Sequence, residues 1–570
     1  MKRLLLAALP LSLALIGCGE DASPPPPAPA PTETAQATQP AAIPSPATEA
    51  AITAADLGAQ IKTVASDAFE GRGPGSKGEK VTLAYLQQEF ERMGLQPGNG
   101  DSWTQDVPMV EVRGEIVEPL TFQVGETAMA LKPLEEFVLG SPLLDPEISL
   151  SDSEVVFAGY GVVAPEFEWN DYSGIDPKGK TVIVLVNDPG FGNGDESLFK
   201  GKAMTYYGRW TYKFEECARQ GATACIIVHE TAGASYGWEV VRNGWSGPEF
   251  DLPRGEGSDP VVPLRGWITR DSAVRLFEAA GLDFEALRQS ADTREFQAVA
   301  VNAKASGKVK NAVRKADSQN VIGKVVGRTH PDEYIIYTAH WDHLGRTFGT
   351  PGDAIFNGAI DNGTGMAALL ELAEAFASDP EPPARSVVFL AVTLEESGLL
   401  GSRWYAENPI YPLDQTVANI NMDALPVIGP TEDVVVVGFG SSELENVLAD
   451  AATEQDRVIV QEPTPENGFY FRSDHFNFAK VGVPALYAKG GITHREKGAE
   501  YGREMAVDYV TNRYHKPSDE YSADWDLRGM EQDVQLLYAV GKRVADSDGW
   551  PQWLEGSEFK ARRDAMMAEK

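Results

Sequence analysis

Three apolar runs in the second half of the chain each lead directly into residues that commonly bind metal ions. Runs of four to eight β-branched and aromatic residues predict buried strands. The runs and the residues that follow them are Tyr334–Ala339 before His340, Val387–Thr393 before Glu395 and Glu396, and Val417–Met422 before Asp423. In open α/β sheets, binding sites form outside the carboxyl ends of the strands. The pattern therefore predicts an α/β fold with a metal site at one edge of its sheet.

Two further segments supply candidate ligands. Asp361 lies in a glycine-rich loop just before a helical pattern, and His515 lies in a polar loop near the end of the chain. Together with His340, Glu396 and Asp423 they make two histidines and three carboxylates, enough for two divalent cations if one carboxylate bridges. Two-metal hydrolytic sites place their ions ~3.5–4 Å apart, which one aspartate can span. Imidazole and carboxylate ligands suit zinc best, although other first-row ions accept them.

The two adjacent glutamates are predicted to have different roles. Neighbouring side chains point in different directions, so one of Glu395 and Glu396 can bind a metal ion while the other holds the metal-bound water as general base. Asp342 follows His340 by two residues. It is placed to accept the second ring N–H of that histidine and to fix its tautomer.

Five short segments resemble the co-catalytic di-zinc aminopeptidases, a family related to glutamate carboxypeptidase II and to the ectodomain of the transferrin receptor. The resemblance covers about residues 54 to 545 and implies an α/β fold with a mixed central sheet sandwiched by helices. The matching segments are His340-Trp341-Asp342-His343-Leu344-Gly345, Gly358-Ala359-Ile360-Asp361-Asn362-Gly363, Glu395-Glu396-Ser397-Gly398, Asn421-Met422-Asp423 and Tyr514-His515.

The resemblance implies a role for each candidate ligand. It implies that Asp361 bridges two zinc ions. Glu396 and His515 would complete one metal site, and His340 and Asp423 would complete the other.

The same resemblance implies roles for residues that do not bind metal. Glu395 would be the general base, and Asp342 would contact a metal ligand without binding the metal itself. Tyr514 resembles the phenol that some family members direct at the developing oxyanion. The bond between Asp361 and Asn362 is implied to be a cis peptide.

The first residues of the chain are typical of an export signal. Met1-Lys2-Arg3 precedes an apolar run from Leu4 to Ile16, which is too short for a typical membrane-spanning helix. Leu15-Ile16-Gly17-Cys18 resembles a bacterial lipoprotein processing site, which predicts a signal peptide over residues 1–18 and a lipid on Cys18. Gly19 favours the outer membrane by the same resemblance, on its periplasmic side or at the cell surface. The alternative is an ordinary signal peptide with a chance cysteine.

Length and composition predict how the rest of the chain divides. Residues 19–53 are rich in proline and alanine and should form a disordered tether.

The 570 residues are too many for one core, so two domains are expected. Residues 145–300 resemble the β-rich protease-associated domain inserted in many such peptidases. Residues 54–144 and 301–570 would then form the zinc peptidase domain. The alternative for the insert is a second α/β layer of the main domain.

Several smaller predictions concern single elements and residues. Val321–Gly327 and Tyr334–Ala339 are predicted to pair as neighbouring strands. His475 lies near the substrate pocket by resemblance and is either functional or structural. His343 belongs to its motif but is not needed as a ligand. For Cys217 and Cys225 the sequence favours two buried free thiols over a disulfide.

The charge of the chain limits its partners. The formal net charge is −35, from 84 acidic and 49 basic residues, and no basic patch stands out. This argues against nucleic acid as a partner. The expected partners are a peptide substrate and, only through the lipid on Cys18, a membrane. The sequence leaves the oligomeric state open.

These observations predict a lipid-anchored zinc metallopeptidase of the cell envelope with two Zn²⁺ per chain, and they favour an aminopeptidase. A metal-bridging hydroxide, held by Glu395, would attack the scissile carbonyl, and Glu395 would return the proton to the leaving amine. A carboxypeptidase or dipeptidase is the first alternative; the former needs an arginine for the substrate carboxylate, such as Arg472 or Arg513. The presence of every ligand argues against a single-zinc glutaminyl cyclase and against a non-catalytic binding or receptor module.

Overall fold

The computed structural model describes residues 43–48, 50–199, 201–255, 258–347 and 353–568. Within these ranges the helices are α1 (Ala54–Val64), α2 (Lys77–Met93), α3 (Trp210–Arg219), α4 (Thr231–Ala234), α5 (Trp238–Gly244), α6 (Arg270–Ala279), α7 (Phe284–Ser290), α8 (Gly363–Ser378), α9 (Leu400–Glu407), α10 (Leu444–Thr453), α11 (His475–Lys480), α12 (Gly498–Asn512), α13 (Arg528–Asp546) and α14 (Lys560–Ala568). The strands are β1 (Gln96–Pro97), β2 (Thr104–Val124), β3 (Thr127–Ala130), β4 (Phe137–Gly140), β5 (Glu147–Phe157), β6 (Val163–Ala164), β7 (Trp169–Asn170), β8 (Thr181–Leu185), β9 (Ala224–His229), β10 (Glu249–Asp251), β11 (Leu264–Thr269), β12 (Val299–Val325), β13 (His330–His340), β14 (Arg385–Val392), β15 (Thr416–Asn421), β16 (Asp433–Val436), β17 (Val458–Gln461) and β18 (Ala485–Gly490).

One large mixed sheet runs through the described chain in the order β17-β16-β18-β15-β13-β14-β12-β5-β8-β9-β11-β4. In this sheet β13 lies between β14 and β15 and is parallel to both. The carboxyl ends of these three strands therefore meet at one edge, where the predicted ligands follow them. The prediction that β12 and β13 are neighbours is wrong, because β14 pairs with both and lies between them.

Strand β13 shows why this part of the sheet is covered on both faces. Ile335, Tyr337 and Ala339 pack into the core that also contains residues of α1, α2, α8 and α13. Tyr334 and Ile336 point to the opposite face and pack against residues of α9 and α11. A strand buried on both faces is a continuous apolar run rather than an alternating one. The predicted α/β sheet between two layers of helices is confirmed.

The 27-residue strand β12 connects the part of the sheet that carries the ligands to the part formed by the insert. Its end pairs with β14, and its earlier residues pair with β5. Strands β5, β8, β9 and β11 are parallel, and β4 joins β11 in antiparallel orientation. Strand β4 ends at Gly140, before the predicted boundary at 145, and pairs with β11 of the predicted insert. The likeness of the insert to a protease-associated domain stays a prediction.

Residues just before α1 contact the folded chain, although they were assigned to the tether. The carbonyl of Ile43 accepts a hydrogen bond from Gln88 at 3.2 Å, and Thr48 donates to Glu374 at 2.6 Å. Ile52 belongs to the core, and the Thr53 side chain caps α1. These contacts lie within residues 19–53, and the assignment of that segment to a tether stays a prediction.

The predicted signal peptide, Cys18 and most of the tether lie outside the described residues. Within the part that is described, none of the helices is both long and apolar enough to cross a membrane. Cys217 on α3 and Cys225 on β9 are buried and free, in agreement with the prediction.

Candidate metal centre

His340 ends β13 and lies at the middle of the candidate site. Its Nε2 atom is 3.3 Å from Oδ1 of Asp361, 3.5 Å from Oδ1 of Asp423 and 3.9 Å from Oε2 of Glu395. His340, Glu395 and Asp423 offer ligand atoms that all lie within 4.8 Å of one another. Residues that are up to 83 positions apart in the sequence therefore come together at the ends of three parallel strands. The sequence predicted this arrangement, because each of these residues follows an apolar run.

Asp361 reaches the site from the loop that begins α8. The peptide between Asp361 and Asn362 is cis, as the resemblance implied. The Asn362 side chain caps α8 by accepting the Gly365 N–H at 2.9 Å. Its amide nitrogen donates to the carbonyl of Met422 at 3.0 Å, one residue before Asp423. Asn362 therefore connects the turn that carries Asp361 to the turn that carries Asp423.

A second cluster contains His343, Asp361 and Glu396, whose ligand atoms also lie within 4.8 Å of one another. His515 approaches the same carboxylates: its Nε2 atom is 3.0 Å from Oε2 of Glu396 and 3.3 Å from Oδ2 of Asp361. The structure therefore brings together the five predicted ligands. It also brings in His343, which the sequence set aside: its Nδ1 atom lies 2.6 Å from Oε1 of Glu396.

Asp342 supports the site in a different way from the predicted one. Nδ1 of His340 lies 3.2 Å from the backbone carbonyl of Asp342 but 3.8 Å from its carboxylate, which is too far for a hydrogen bond. The carboxylate instead accepts the backbone N–H of Glu395 at 3.1 Å and of Glu396 at 3.4 Å. Asp342 thus holds the turn that carries both glutamates, and the tautomer of His340 is set by a backbone carbonyl.

Burial and crowding of negative charge shift the pKa values of these groups. Burial lowers the pKa of His340, but Glu395, Asp361 and Asp423 outweigh it and hold that pKa well above its usual range. Burial raises the pKa of Glu395 well above its usual value; His340 opposes this rise, and the charges of Glu396 and Asp423 add to it. Burial likewise raises the pKa of Asp342 to about 7. Such a pocket favours a cation, because carboxylates in a low-dielectric site repel one another.

The donors present fit zinc. The Nε2 atoms of His340 and His343 are buried and have no hydrogen-bond partner among the described residues. Carboxylate oxygens of Asp361 and Asp423 lie 3.3 and 3.5 Å from Nε2 of His340. Imidazole nitrogen and carboxylate oxygen are typical zinc ligands in hydrolytic sites.

Two residues that carry no sequence signal hold the ligand turns in place. Arg72 is fully buried and donates to the carbonyls of Val64, Trp341, Asn357 and Gly358 at 2.6–2.9 Å. The Asp519 carboxylate accepts the N–H groups of Ile360 and Asp361 at 3.1 Å. The sequence offers two weak indications of these residues. Arg72 lies in a glycine-rich segment, and Asp519 follows His515 by four residues.

Tyr514 and His475 lie close to the ligands. The Tyr514 ring stacks on the His515 ring, with centroids 3.9 Å apart, and is 37% exposed, so a substrate can reach it. His475 is fully buried between the rings of Tyr470 and Tyr487. Burial lowers the pKa of His475 to about 3, which keeps the imidazole neutral. This environment favours the structural interpretation of His475.

Known proteins resemble the chain in both sequence and structure. Residues 320–539 match the sequence profile of peptidase family M28. The mouse protein named Aminopeptidase NAALADL1 is 30% identical over 151 residues, 26% of this chain and 18% of that protein. The Caenorhabditis elegans protein named Glutamate carboxypeptidase 2 homolog is 35% identical over 219 residues, 37% of this chain and 26% of that protein. The chain thus spans about a fifth to a quarter of the length of these relatives.

Among solved structures, an aminopeptidase from Aneurinibacillus sp. strain AM-1 aligns with a TM-score of 0.49 at 18% identity. The alignment covers 88% of this chain and 95% of that one.

Proposed function

We propose that this chain, whose residues 320–539 match the profile of peptidase family M28, is an exopeptidase that holds two zinc ions and removes residues from the N-terminus of peptides. One observation carries the proposal. Asp361 places Oδ1 3.3 Å from His340 and Oδ2 3.3 Å from His515. An aspartate between two imidazoles can offer one oxygen to each of two ions spaced ~3.5–4 Å apart.

In the proposed site His340 and Asp423 would hold one ion, and Glu396 and His515 would hold the other. His343 orients Glu396 through its 2.6 Å contact with that carboxylate. When bound, the two ions supply Lewis acidity, which lowers the pKa of a bound water and polarises the scissile carbonyl.

Glu395 is the proposed general base. Its Oε2 atom lies 3.9 Å from Nε2 of His340, so the carboxylate is placed to accept a proton from a water at the metal site and then to return it to the leaving amine. The Asp342 carboxylate fixes the Glu395 backbone by accepting its N–H at 3.1 Å. The Tyr514 phenol is 37% exposed beside His515, where it can donate a hydrogen bond to a developing oxyanion.

A panel of aminoacyl-p-nitroanilides tests the proposal. The purified chain should hydrolyse them, contain about two zinc ions, and lose activity when a chelator removes the metal. Restoring zinc should restore hydrolysis. A chain that binds zinc but cleaves only substrates with a blocked amine would overturn the N-terminal specificity. A chain that binds no zinc would overturn the proposal as a whole.

A second candidate, a carboxypeptidase or dipeptidase, is favoured by two arginines at the contact between the insert and the peptidase domain. Nε of Arg209 and Nε of Arg472 are buried and have no hydrogen-bond partner among the described residues. Burial, and then the charge of Arg472, lowers the pKa of Arg209 to about 10. The Arg472 guanidinium also packs on the rings of Tyr236 and Phe469, each at 5.5 Å. Paired guanidiniums of this kind bind carboxylates well.

The second candidate has its own test. The chain would cleave an N-acetylated dipeptide with a free C-terminus and spare the same dipeptide with an amidated C-terminus. Arg209→Met and Arg472→Met would each raise KM for the free acid at least tenfold, with zinc content unchanged. Equal cleavage of the free acid and the amide would exclude the arginines as a carboxylate clamp.

The location of the protein is also a proposal. The Leu15-Ile16-Gly17-Cys18 sequence supports lipid attachment at Cys18 and a place in the bacterial cell envelope. The expected partners remain a peptide and, through the lipid, a membrane, with no nucleic acid. Labelling with a radioactive fatty acid should mark the wild-type chain and not a Cys18→Ser variant. Equal labelling of both would contradict the assignment.

A further inference from the structure

Lys489 lies beside the turn that carries Asp423. Strand β18 is parallel to β15, and Tyr487 is opposite Asn421, the last residue of β15. Since β18 continues to Gly490, Lys489 extends past the end of β15. Side chains two residues apart on a strand point to the same face, so Tyr487 and Lys489 both reach the segment that follows Asn421.

The Lys489 ammonium makes three hydrogen bonds there. Nζ donates to the carbonyls of Asp423 and Ala424, each at 3.2 Å, and to the Tyr487 hydroxyl at 2.9 Å. The Tyr487 hydroxyl in turn donates to the Asp423 carbonyl at 2.9 Å. A lysine ammonium has three donors, and all three are used on uncharged oxygens around one metal ligand.

The turn itself needs this support. Ala424 has φ of 48°, in the left-handed region that residues with a Cβ seldom adopt. On one side, the Asn362 side chain accepts the Ala424 N–H at 3.2 Å. On the other side, Lys489 and Tyr487 hold the two carbonyls. A strained backbone persists only where surrounding groups determine it.

The charge of Lys489 also suits its position. The carboxylates of Asp423 and Asp361 are close enough to interact electrostatically with the Lys489 ammonium. A neutral side chain could bind the same carbonyls, but it could not offset the negative charge of two neighbouring metal ligands. Lys489 lies on β18, which is separated from β13 and His340 by strand β15.

We propose that Lys489 is a positioning residue that holds the Asp423–Ala424 turn and thereby sets the affinity for the metal ion shared by His340 and Asp423. The inference rests on the proposed two-zinc function. Residues that orient metal ligands typically change metal affinity about 10- to 100-fold when they are replaced. The effect should concern one ion of the two, because Glu396 and His515 approach from other turns.

Zinc titration of metal-free protein against a chromogenic chelator tests this inference. Lys489→Met should weaken one of two zinc sites about 10- to 100-fold and leave the other within about twofold. Lys489→Arg, which keeps the charge and several donors, should recover part of that affinity. The melting temperature of the metal-free variants should be recorded beside the affinities, so that unfolding is not mistaken for a loss of binding.

Lys213 in the insert provides a matched control. It is fully buried, and its ammonium donates to the carbonyls of Asn187 and Tyr207 at 2.7 and 2.6 Å. Lys213→Met should lower the melting temperature and leave both zinc affinities unchanged. If the wild type binds two zinc ions and Lys489→Met binds both equally well, the inference fails and the proposed function stands. If the wild type binds no zinc, the proposed function fails as well.

Discussion

The carboxylate of Asp519 accepts the backbone N–H of Asp361 at 3.1 Å. It accepts the N–H of Ile360 as well, and its own backbone carbonyl accepts the N–H of Ala359 at 3.0 Å. Asp519 follows His515 by four residues, so the segment that brings one candidate ligand also fixes the loop of another. This contact therefore holds the backbone of the proposed bridging residue Asp361 in place.

Replacing Asp519 should therefore disturb metal binding without touching a ligand. Asp519→Ala leaves two buried N–H groups without an acceptor, which should cost about 1–3 kcal/mol for each group. Asp519→Asn keeps one oxygen and should lose less. The measurements are the free energy of unfolding from urea titration and the zinc affinity. Unchanged zinc affinity in a destabilised Asp519→Ala protein would show that the loop position of Asp361 does not depend on Asp519.

Glu395→Gln should keep zinc and lose turnover. The amide has nearly the shape of the carboxylate but cannot accept the proton of water, so kcat should fall about 10²- to 10⁴-fold. Zinc content and KM should change little, because the proposed ligands remain. Glu407→Gln, an exposed change at the end of α9, provides the control. Turnover close to wild type in Glu395→Gln would remove Glu395 from its proposed role.

The sequence located the five candidate ligands because each belongs to a short motif, and three of them follow apolar strands. The residues that hold the ligands in position belong to no such motif. Arg72, Asp519 and Lys489 act through backbone groups that are distant in sequence, and the type of a single residue does not reveal such partners. The order of the strands was missed for a similar reason: nothing in the composition of β12 indicates that β14 lies between it and β13. Asp342 was recognised, but its carboxylate binds the glutamate turn rather than His340.

Glu371 on α8 should make the protein less stable as pH rises. It is 1% exposed, and both carboxylate oxygens lack a hydrogen-bond partner among the described residues. Burial, and then the charges of Asp56 and Glu374, raises its pKa from 4.5 to about 8. Between these two values the folded chain holds one proton more than the unfolded chain, so this group lowers stability by up to about 1.4 kcal/mol per pH unit.

The Glu371 prediction can be measured by melting the protein from pH 5 to pH 8. The wild type should lose stability across this range, and Glu371→Gln should lose less because it has no proton to release. Glu91→Gln, an exposed change on α2, should follow the wild type. Parallel curves for Glu371→Gln and wild type would mean that Glu371 does not carry the pH dependence.

Arg72→Lys should weaken both the fold and the metal site. Arg72 donates to four buried carbonyls on three separate segments, whereas a lysine has three donors and a compact shape that does not match the planar fork. At least one carbonyl should lose its partner, at a cost of about 1–3 kcal/mol. Two of the four carbonyls, those of Trp341 and Gly358, lie within three residues of His340 and Asp361, so zinc affinity should fall together with stability.

A second buried arginine separates these two effects. Arg385 is 1% exposed and donates to Glu333 and to the carbonyls of Val544 and Gly549, on the same sheet but away from the ligands. Arg385→Lys should therefore lower the free energy of unfolding by a similar amount and leave zinc affinity unchanged. An equal loss of zinc affinity in both variants would mean that general loosening of the sheet, and not the clamp on the ligand turns, determines metal binding. If zinc affinity falls in Arg72→Lys but not in Arg385→Lys, the Arg72 guanidinium is the group that preorganises the metal site.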